Sequence, residues 1–189
     1  MAWNIALLIC CLVAMVGSTT TDVDCTLRQD FNTVKDCCAY PTFRFDNFRN
    51  QCGKYMPIGA PRVSPCLYEC IFNVTNTVVD SVIDPDNARV LLERLFGNNR
   101  DFLEAYFNGL MSCTDSVQEM MKNKKPRSNS SGKQCSPLAV FYGVCAQRYV
   151  FNHCPPSSWS PTESCEMARL QNMNCPSARS TRVSGFKKV

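Results

Sequence analysis

The chain of 189 residues has only one histidine, His153, and this scarcity excludes much hydrolytic chemistry. A Ser-His-Asp triad would have to use His153, and no nucleophile motif accompanies that residue. A zinc site would need thiolates, whereas cysteines in an oxidising compartment serve better as bridges. We therefore expect a protein without catalytic activity, cofactor or metal.

Long apolar runs are also scarce. Residues 5–16 form an unbroken apolar run of 12 residues, shorter than the ~20 residues that a transmembrane helix needs. The small residues Gly17 and Ser18 follow it, as at the end of a signal peptide. The sequence therefore predicts a signal peptide over 1–18, with cleavage near 18–20, and a single domain over 19–189. No later stretch is long and apolar enough to span a membrane, so we expect a secreted, extracellular protein.

Cysteine, by contrast, is abundant. Of 14 cysteines, Cys10 and Cys11 would leave with the signal peptide, and an even, dense set of twelve predicts a disulfide framework. About 170 residues could bury a fair core without bridges. We interpret the excess with equal weight as a rigid shell around an incompletely packed interior or as protection against proteases. The twelve are Cys25, Cys37, Cys38, Cys52, Cys66, Cys70, Cys113, Cys135, Cys145, Cys154, Cys165 and Cys175.

Helix-start signals dominate the rest of the chain, and no alternating strand pattern accompanies them. Three Ser-Pro pairs predict helix starts, because serine can cap a helix and proline tolerates its first turn. These pairs are Ser64-Pro65, Ser136-Pro137 and Ser160-Pro161, the last within a capping box that ends at Glu163. Further starts are predicted at Asp84-Pro85, at Asp101, and at Thr114 or Asp115. The predicted fold is all-α, a compact disulfide-linked domain of about six to eight helices.

The predicted helix over residues 101–113 is apolar on more than one face, which indicates either a core helix or one wall of a cavity. The chain has 11 Phe and 6 Tyr, enough to line an apolar pocket as well as a core. We predict that a pocket for small hydrophobic molecules is lined by residues that could equally belong to the core. They are Leu91, Leu95, Phe102, Tyr106, Leu110, Met121, Phe141 and Val144.

Positive charge is concentrated in residues 122–133 and in the tail after Cys175, and neither segment contains an acid. We interpret both as solvated surface, with a flexible basic tail from about residue 176. Nucleic-acid binding is not expected of a secreted chain. Of two glycosylation sequons, we predict that Asn129, in a loop, is used, whereas Asn73 lies inside a predicted helix.

The cysteine spacing resembles that of the insect odorant-binding proteins. Cys66-x3-Cys70, about forty residues to Cys113, and Cys145-x8-Cys154 match that family's pattern. The extra Cys135, Pro155 directly after Cys154, and the added Cys165 and Cys175 resemble its twelve-cysteine Plus-C class. The resemblance covers nearly the whole mature chain.

The resemblance implies a helical fold that encloses a hydrophobic cavity for small volatile or lipid-like ligands. It further implies the bridges Cys66–Cys145 and Cys113–Cys154, and a bond from Cys70 to Cys37 or Cys38. The remaining cysteines would form three more bridges whose pairing stays open. The implied partner is a small hydrophobic ligand, and a membrane odorant receptor and a homodimer are left open.

The sequence leaves two other function classes open. A disulfide-rich inhibitor or effector would bind a macromolecule through an exposed anchor on a rigid loop and would have a filled core. The segment Asp36-Cys37-Cys38 is similar to a stretch of secreted phospholipases A2, but the catalytic histidine and the calcium loop are missing. We therefore favour a carrier of small hydrophobic molecules.

Overall fold

The computed structural model describes residues 23–26, 36–57, 64–122 and 135–175. The predicted signal peptide, the predicted glycosylation site Asn129 and the predicted basic tail lie outside the described residues. Within the described ranges the fold is mostly helical, and this confirms the predicted all-α class. The described residues form seven α-helices: α1 (Arg49–Cys52), α2 (Pro65–Val74), α3 (Pro85–Phe96), α4 (Arg100–Ser112), α5 (Thr114–Lys122), α6 (Leu138–Asn152) and α7 (Glu163–Asn174). Short 3-10 turns occupy Phe45–Phe48, Gly53–Tyr55 and Pro156–Ser158.

The helix starts lie close to the predicted ones, but the predicted serine caps are not all formed. Ser64 makes no side-chain capping hydrogen bond at the start of α2, and Pro137 rather than Ser136 holds the cap position of α6. Asp84 caps α3, because its side chain accepts a hydrogen bond of 2.9 Å from the backbone N–H of Asn87. The cap of α4 is Asn99 rather than Asp101, which lies in the first turn, where its charge favours the helix dipole. Thr162 rather than Ser160 caps α7, accepting a hydrogen bond from the N–H of Cys165. The local signals therefore placed these starts to within two residues.

A small antiparallel hairpin departs from the purely helical prediction. Strands β1 (Val78–Val79) and β2 (Val82–Ile83) pair directly across a two-residue turn. Both turn residues, Asp80 and Ser81, have positive φ, as the hairpin turn that matches strand twist requires. Strands of two residues are too short to show an alternating pattern, so the sequence analysis missed them.

Helix α6 lies at the centre of the fold and contacts α2, α4, α5 and α7. Its most extensive contact is with α4, which crosses it where Gly109 meets Ala146. A β-carbon at Gly109 would stand 3.1 Å from Cα of Ala146, so the missing side chain lets the two backbones approach. The helix over residues 101–113, which the sequence predicts to be a core helix or a cavity wall, therefore packs directly against the central helix α6. None of the helices in the described ranges has the length and apolar character that a membrane span requires.

Six disulfide bonds link all twelve predicted cysteines. The bonds are Cys25–Cys175, Cys37–Cys165, Cys38–Cys154, Cys52–Cys70, Cys66–Cys135 and Cys113–Cys145. The framework itself is therefore confirmed, and such a framework is typical of an oxidising compartment. The pairing implied by the family resemblance is wrong at Cys66–Cys145, at Cys113–Cys154, and at the bond from Cys70 to Cys37 or Cys38.

Helix packing explains the pairing of three of these bonds. Cys113 ends α4 and meets Cys145 because α4 lies along α6. Cys70 meets Cys52 because α1 packs against α2. Cys66, in the first turn of α2, meets Cys135 just ahead of α6. In each case the partner cysteine lies on the neighbouring helix or at its end. The spacing of cysteines in the sequence does not show which helices are neighbours.

The adjacent cysteines Cys37 and Cys38 pair with two different elements. Their segment runs beside residues 158–160, with hydrogen bonds of 2.8 Å from Ala39 N–H to the Ser158 carbonyl and from Ser160 N–H to the Cys37 carbonyl. Successive side chains of an extended segment point to opposite sides. One cysteine therefore reaches Cys154 after α6, and the other reaches Cys165 on α7.

Candidate functional site

An apolar cavity lies between α2, α3, α4, α6 and the irregular segment that precedes α1. Its volume is about 50 Å³, and none of the residues that line it is charged. An apolar cavity that binds benzene has a volume of roughly 150 Å³, so we expect a ring-sized ligand to require movement of the walls of this smaller cavity. The lining residues are Phe43, Phe45, Tyr68, Ile71, Phe72, Leu91, Leu92, Leu95, Tyr106, Leu110, Gly143, Ala146 and Gln147.

Residues at helical spacing on α2 and α6 form two walls of the cavity. Helix α2 presents Tyr68, Ile71 and Phe72, and α6 presents Gly143, Ala146 and Gln147. Both triplets have the i, i+3, i+4 spacing that places side chains on one helix face. These walls belong to helices that are packed into the core, so they hold their positions.

The rim of the cavity is aromatic where the segment ahead of α1 contributes Phe43 and Phe45. Phe43 precedes the first 3-10 turn and is half-buried. Its ring centroid lies 5.6 Å from that of Phe45, 5.1 Å from that of Phe96, and 5.6 Å, edge to face, from that of Tyr106. Because Phe43 belongs to no regular element, its ring is better able than the helical walls to move and enlarge the cavity.

Two polar groups of the lining meet where α4 faces α6. The hydroxyl of Tyr106 donates a hydrogen bond of 2.5 Å to Oε1 of Gln147. Burial raises the pKa of Tyr106 well above its usual range, and the neighbouring Tyr40 and Tyr68 raise it further. Tyr106 therefore stays a neutral donor at any physiological pH.

The hydroxyl of Tyr40 is buried close to this polar pair. It makes no hydrogen bond within the described part of the chain. Burial raises the pKa of Tyr40 to about 12, and the side chain of Gln147 lowers it. The Tyr40 hydroxyl and the Gln147 amide are therefore close neighbours.

The predicted pocket residues divide into two groups. Four of them line the cavity, namely Leu91, Leu95, Tyr106 and Leu110. Phe102 is buried outside the lining, with its ring centroid 5.9 Å from that of Tyr40. Met121 and Phe141 are half-buried at the edge of the core, and Val144 is 58% exposed on the outer face of α6. The structure therefore does not bring these last four into the cavity, and ligand contact by the other four stays a prediction.

Nine lining residues were missed by the sequence analysis. Tyr68, Ile71 and Phe72 have a helical spacing that could have identified them, and Leu92 adjoins the predicted Leu91. No local pattern identifies Phe43 or Phe45, since both lie outside the α-helices. Gly143, Ala146 and Gln147 lack the apolar bulk on which the prediction relied.

Comparisons with protein-family models and with curated proteins give no match for this chain. Within the described ranges, no group of three or more His, Cys, Asp or Glu is placed to hold a metal ion. The cavity is thus the feature from which a function can be argued, because its walls, its rim and its polar groups form one site.

Proposed function

We propose that this protein is a secreted carrier that binds small hydrophobic molecules in the cavity between α2, α3, α4 and α6. The observation that supports the proposal is an uncharged cavity, lined by aromatic and aliphatic side chains, inside a helical fold with six disulfide bonds. Apolar pockets with a few convergent polar groups are the usual form of small-molecule sites. The disulfide framework supports secretion, because such bonds persist in oxidising compartments.

The free energies of burial and association limit the affinity that such a cavity can reach. A ligand of ~12 carbons gains about 10 kcal/mol from burial at ~0.8 kcal/mol per methylene. Association costs ~4–15 kcal/mol, and opening the rim adds to that cost. The net gain is therefore at most ~6 kcal/mol, which corresponds to a dissociation constant of tens of micromolar or weaker. Compact ligands fit the cavity better than long lipid chains.

The resemblance to odorant-binding proteins gives partial support. The spacing of Cys66, Cys70, Cys113, Cys145 and Cys154 resembles that family, but none of its three implied bonds is formed. The proposal of a carrier therefore rests on the cavity more than on the family. A membrane odorant receptor and a homodimer remain predictions from the sequence.

A fluorescent naphthylamine titrated into the oxidised protein tests the proposal. We expect saturable uptake with a micromolar dissociation constant and displacement by small apolar competitors. Leu91→Phe adds a ring to the cavity wall and should weaken binding about tenfold or more, which equals ~1.4 kcal/mol. Val144→Phe, on the exposed face of α6, is the matched control and should leave the affinity unchanged.

Uptake that does not saturate would contradict the carrier proposal. It would favour the second candidate, a protein-protein interaction module. One observation supports that candidate: Val79 is 50% exposed and Val82 is 40% exposed on the β1–β2 hairpin. An apolar pair on a tight hairpin is the kind of anchor such a module needs. Under the carrier proposal, Val79→Ser and Val82→Ser leave naphthylamine binding intact.

A further inference from the structure

Asn73, the first residue of the sequon Asn73-Val74-Thr75, lies at the surface of the fold. Helix α2 ends at Val74, so Asn73 belongs to the last turn of that helix rather than to its interior. Asn73 is exposed, whereas the preceding residues Ile71 and Phe72 are buried and line the cavity. A bulky group on the Asn73 amide therefore projects into water and leaves the cavity wall in place.

The third residue of the sequon, Thr75, is enclosed by the fold. It is 6% exposed, and its hydroxyl lies 3.0 Å from the carbonyl oxygen of Ile71 and 2.7 Å from the hydroxyl of Thr77. A sequon is defined by the asparagine together with the hydroxyl two residues later. Because the folded protein hides that hydroxyl, the sequon is readable only in a chain that has not yet folded at this point.

The order of the elements in the chain provides such an interval. Helix α2 packs against α6, which follows it in the chain. The disulfide bond in the first turn of α2 joins Cys66 to Cys135, which also follows the sequon. Neither contact forms until the chain beyond Cys135 has been made and has reached an oxidising compartment. The sequon is therefore accessible before α2 is held in place.

We propose that Asn73 is N-glycosylated during synthesis, before α2 packs against α6. Nδ2 of Asn73 forms a bond to the anomeric carbon of an oligosaccharide carried on a lipid diphosphate. The bond from that carbon to the diphosphate oxygen breaks, the lipid diphosphate leaves with the electron pair, and the amide gives up one proton to a base of the transferase. Nothing is oxidised or reduced. The inference rests on the secretion that the carrier proposal includes, and it adds a modification site outside the cavity.

Mass spectrometry of the protein secreted by a eukaryotic host tests the site. A peptide N-glycosidase acting in heavy-oxygen water converts each glycosylated Asn to a labelled Asp, and we expect the label at Asn73. In an Asn129→Gln background, which removes the second sequon, Asn73→Gln should lose its glycan and migrate faster in a denaturing gel. Asn98→Gln is the matched control, because Asn98 is exposed but belongs to no sequon, and it should migrate as the background protein does.

A second assay tests whether folding closes the site. Protein made in bacteria is incubated with the transferase and a lipid-linked oligosaccharide, either folded and oxidised or reduced and unfolded. We expect the unfolded chain to be modified at Asn73 at least about tenfold faster, because the folded protein must first open locally to release Thr75. In the unfolded chain Thr75→Ser should retain the modification and Thr75→Val should lose it. Since that chain is unfolded, these two results do not depend on how well the variants fold.

The outcomes separate the modification from the carrier function. A secreted protein whose Asn73 peptide carries no label overturns the modification, while saturable naphthylamine uptake by the same sample still supports the carrier. A labelled protein that takes up no naphthylamine contradicts the carrier function and leaves the modification standing. Equal rates for the folded and unfolded chains overturn the inference that the burial of Thr75 closes the site.

Discussion

Gly143 on α6 faces the ring of Tyr68 on α2 so closely that a β-carbon added at Gly143 would stand 2.6 Å from Cε1 of that ring. Real carbon atoms do not pack at this distance, so the ring occupies space that only a glycine leaves free. Glycine inside a helix costs about 0.5–1 kcal/mol relative to alanine. Since both residues line the cavity, this cost is linked to the shape of the site.

Gly143→Ala should therefore change binding more than stability. The new methyl group displaces the Tyr68 ring, and we expect naphthylamine affinity to fall about tenfold, equal to ~1.4 kcal/mol. The gain in helix propensity offsets part of the packing cost, so the melting temperature should change little. Val144→Ala is the neighbouring control. Adding Tyr68→Leu should restore affinity, and failure of this rescue would show that the ring is not the group displaced.

Gly109→Ala should instead lower the stability of the fold more than it changes ligand binding. Its β-carbon would meet the backbone of Ala146, with Cα at 3.1 Å and the carbonyl oxygen at 3.2 Å, and neither atom can rotate away. We expect the free energy of unfolding in urea to fall by ~1–3 kcal/mol, as in other overpacked cores. Gly53→Ala is the matched control, because its β-carbon would meet only Cγ of Arg49 at 3.7 Å. Equal stability of the two variants would contradict a close contact between α4 and α6.

The helices could be predicted from the sequence because their signals are local. Asp84 followed by Pro85 specifies the start of α3 without reference to any other part of the chain. At α7 the predicted cap was Ser160 and the observed cap is Thr162. This error is also local, because serine and threonine can both cap a helix and the two residues are only two positions apart. The β1–β2 hairpin was missed because its two strands are stabilised by their pairing across the turn, which a sequence pattern of two residues cannot show.

The disulfide pairing and the complete lining of the site could not be predicted, because both depend on which helices become neighbours. Cys145 has the family-like spacing to Cys154, yet its partner is set by the contact between α4 and α6. Leu110 and Val144 are both apolar, but one lines the cavity and the other faces solvent. Hydrophobicity identifies residues that can be buried. Which face of α4 or of α6 is actually buried depends on how those two helices pack against their neighbours.

The hydroxyl of Tyr40 should titrate late and destabilise the protein when it does. Burial raises its pKa to about 12 in the folded protein, against ~10 for an exposed tyrosine. The folded state therefore holds this proton more tightly than the unfolded state. The corresponding stability is fully present below pH ~10 and is lost as the pH rises from ~10 through about 12.

Phenolate absorbance measures this titration directly. The difference between the unaltered protein and Tyr40→Phe isolates one phenol, and its midpoint should lie at about 12. The same substitution should reduce the loss of unfolding free energy between pH ~10 and about 12, as measured in denaturant over a short exposure. A midpoint near the ordinary value of ~10 would show that the hydroxyl is solvated rather than buried.

Two disulfide bonds with very different separations in the chain should stabilise the fold almost equally. Cys25 and Cys175 are 150 residues apart, whereas Cys52 and Cys70 are 18 apart. While Cys37–Cys165 is intact, however, the loop closed by Cys25–Cys175 contains only the 12 residues up to Cys37 and the 10 that follow Cys165. Loops of about 20 residues correspond to ~3 kcal/mol in the chain-entropy relation, so either bond should contribute about that amount.

Paired alanine variants test whether the Cys25–Cys175 loop is shortened by the Cys37–Cys165 bond inside it. Peptide mapping of the non-reduced protein first verifies that Cys25 is linked to Cys175 and Cys37 to Cys165. Cys25→Ala with Cys175→Ala, and Cys52→Ala with Cys70→Ala, should then each lower the free energy of unfolding by ~3 kcal/mol. A loop of the full length would correspond to ~5 kcal/mol, so a loss of that size at Cys25–Cys175 alone would contradict the nested arrangement. Near-equal losses would indicate that Cys37–Cys165 already restrains both ends of the chain in the unfolded state.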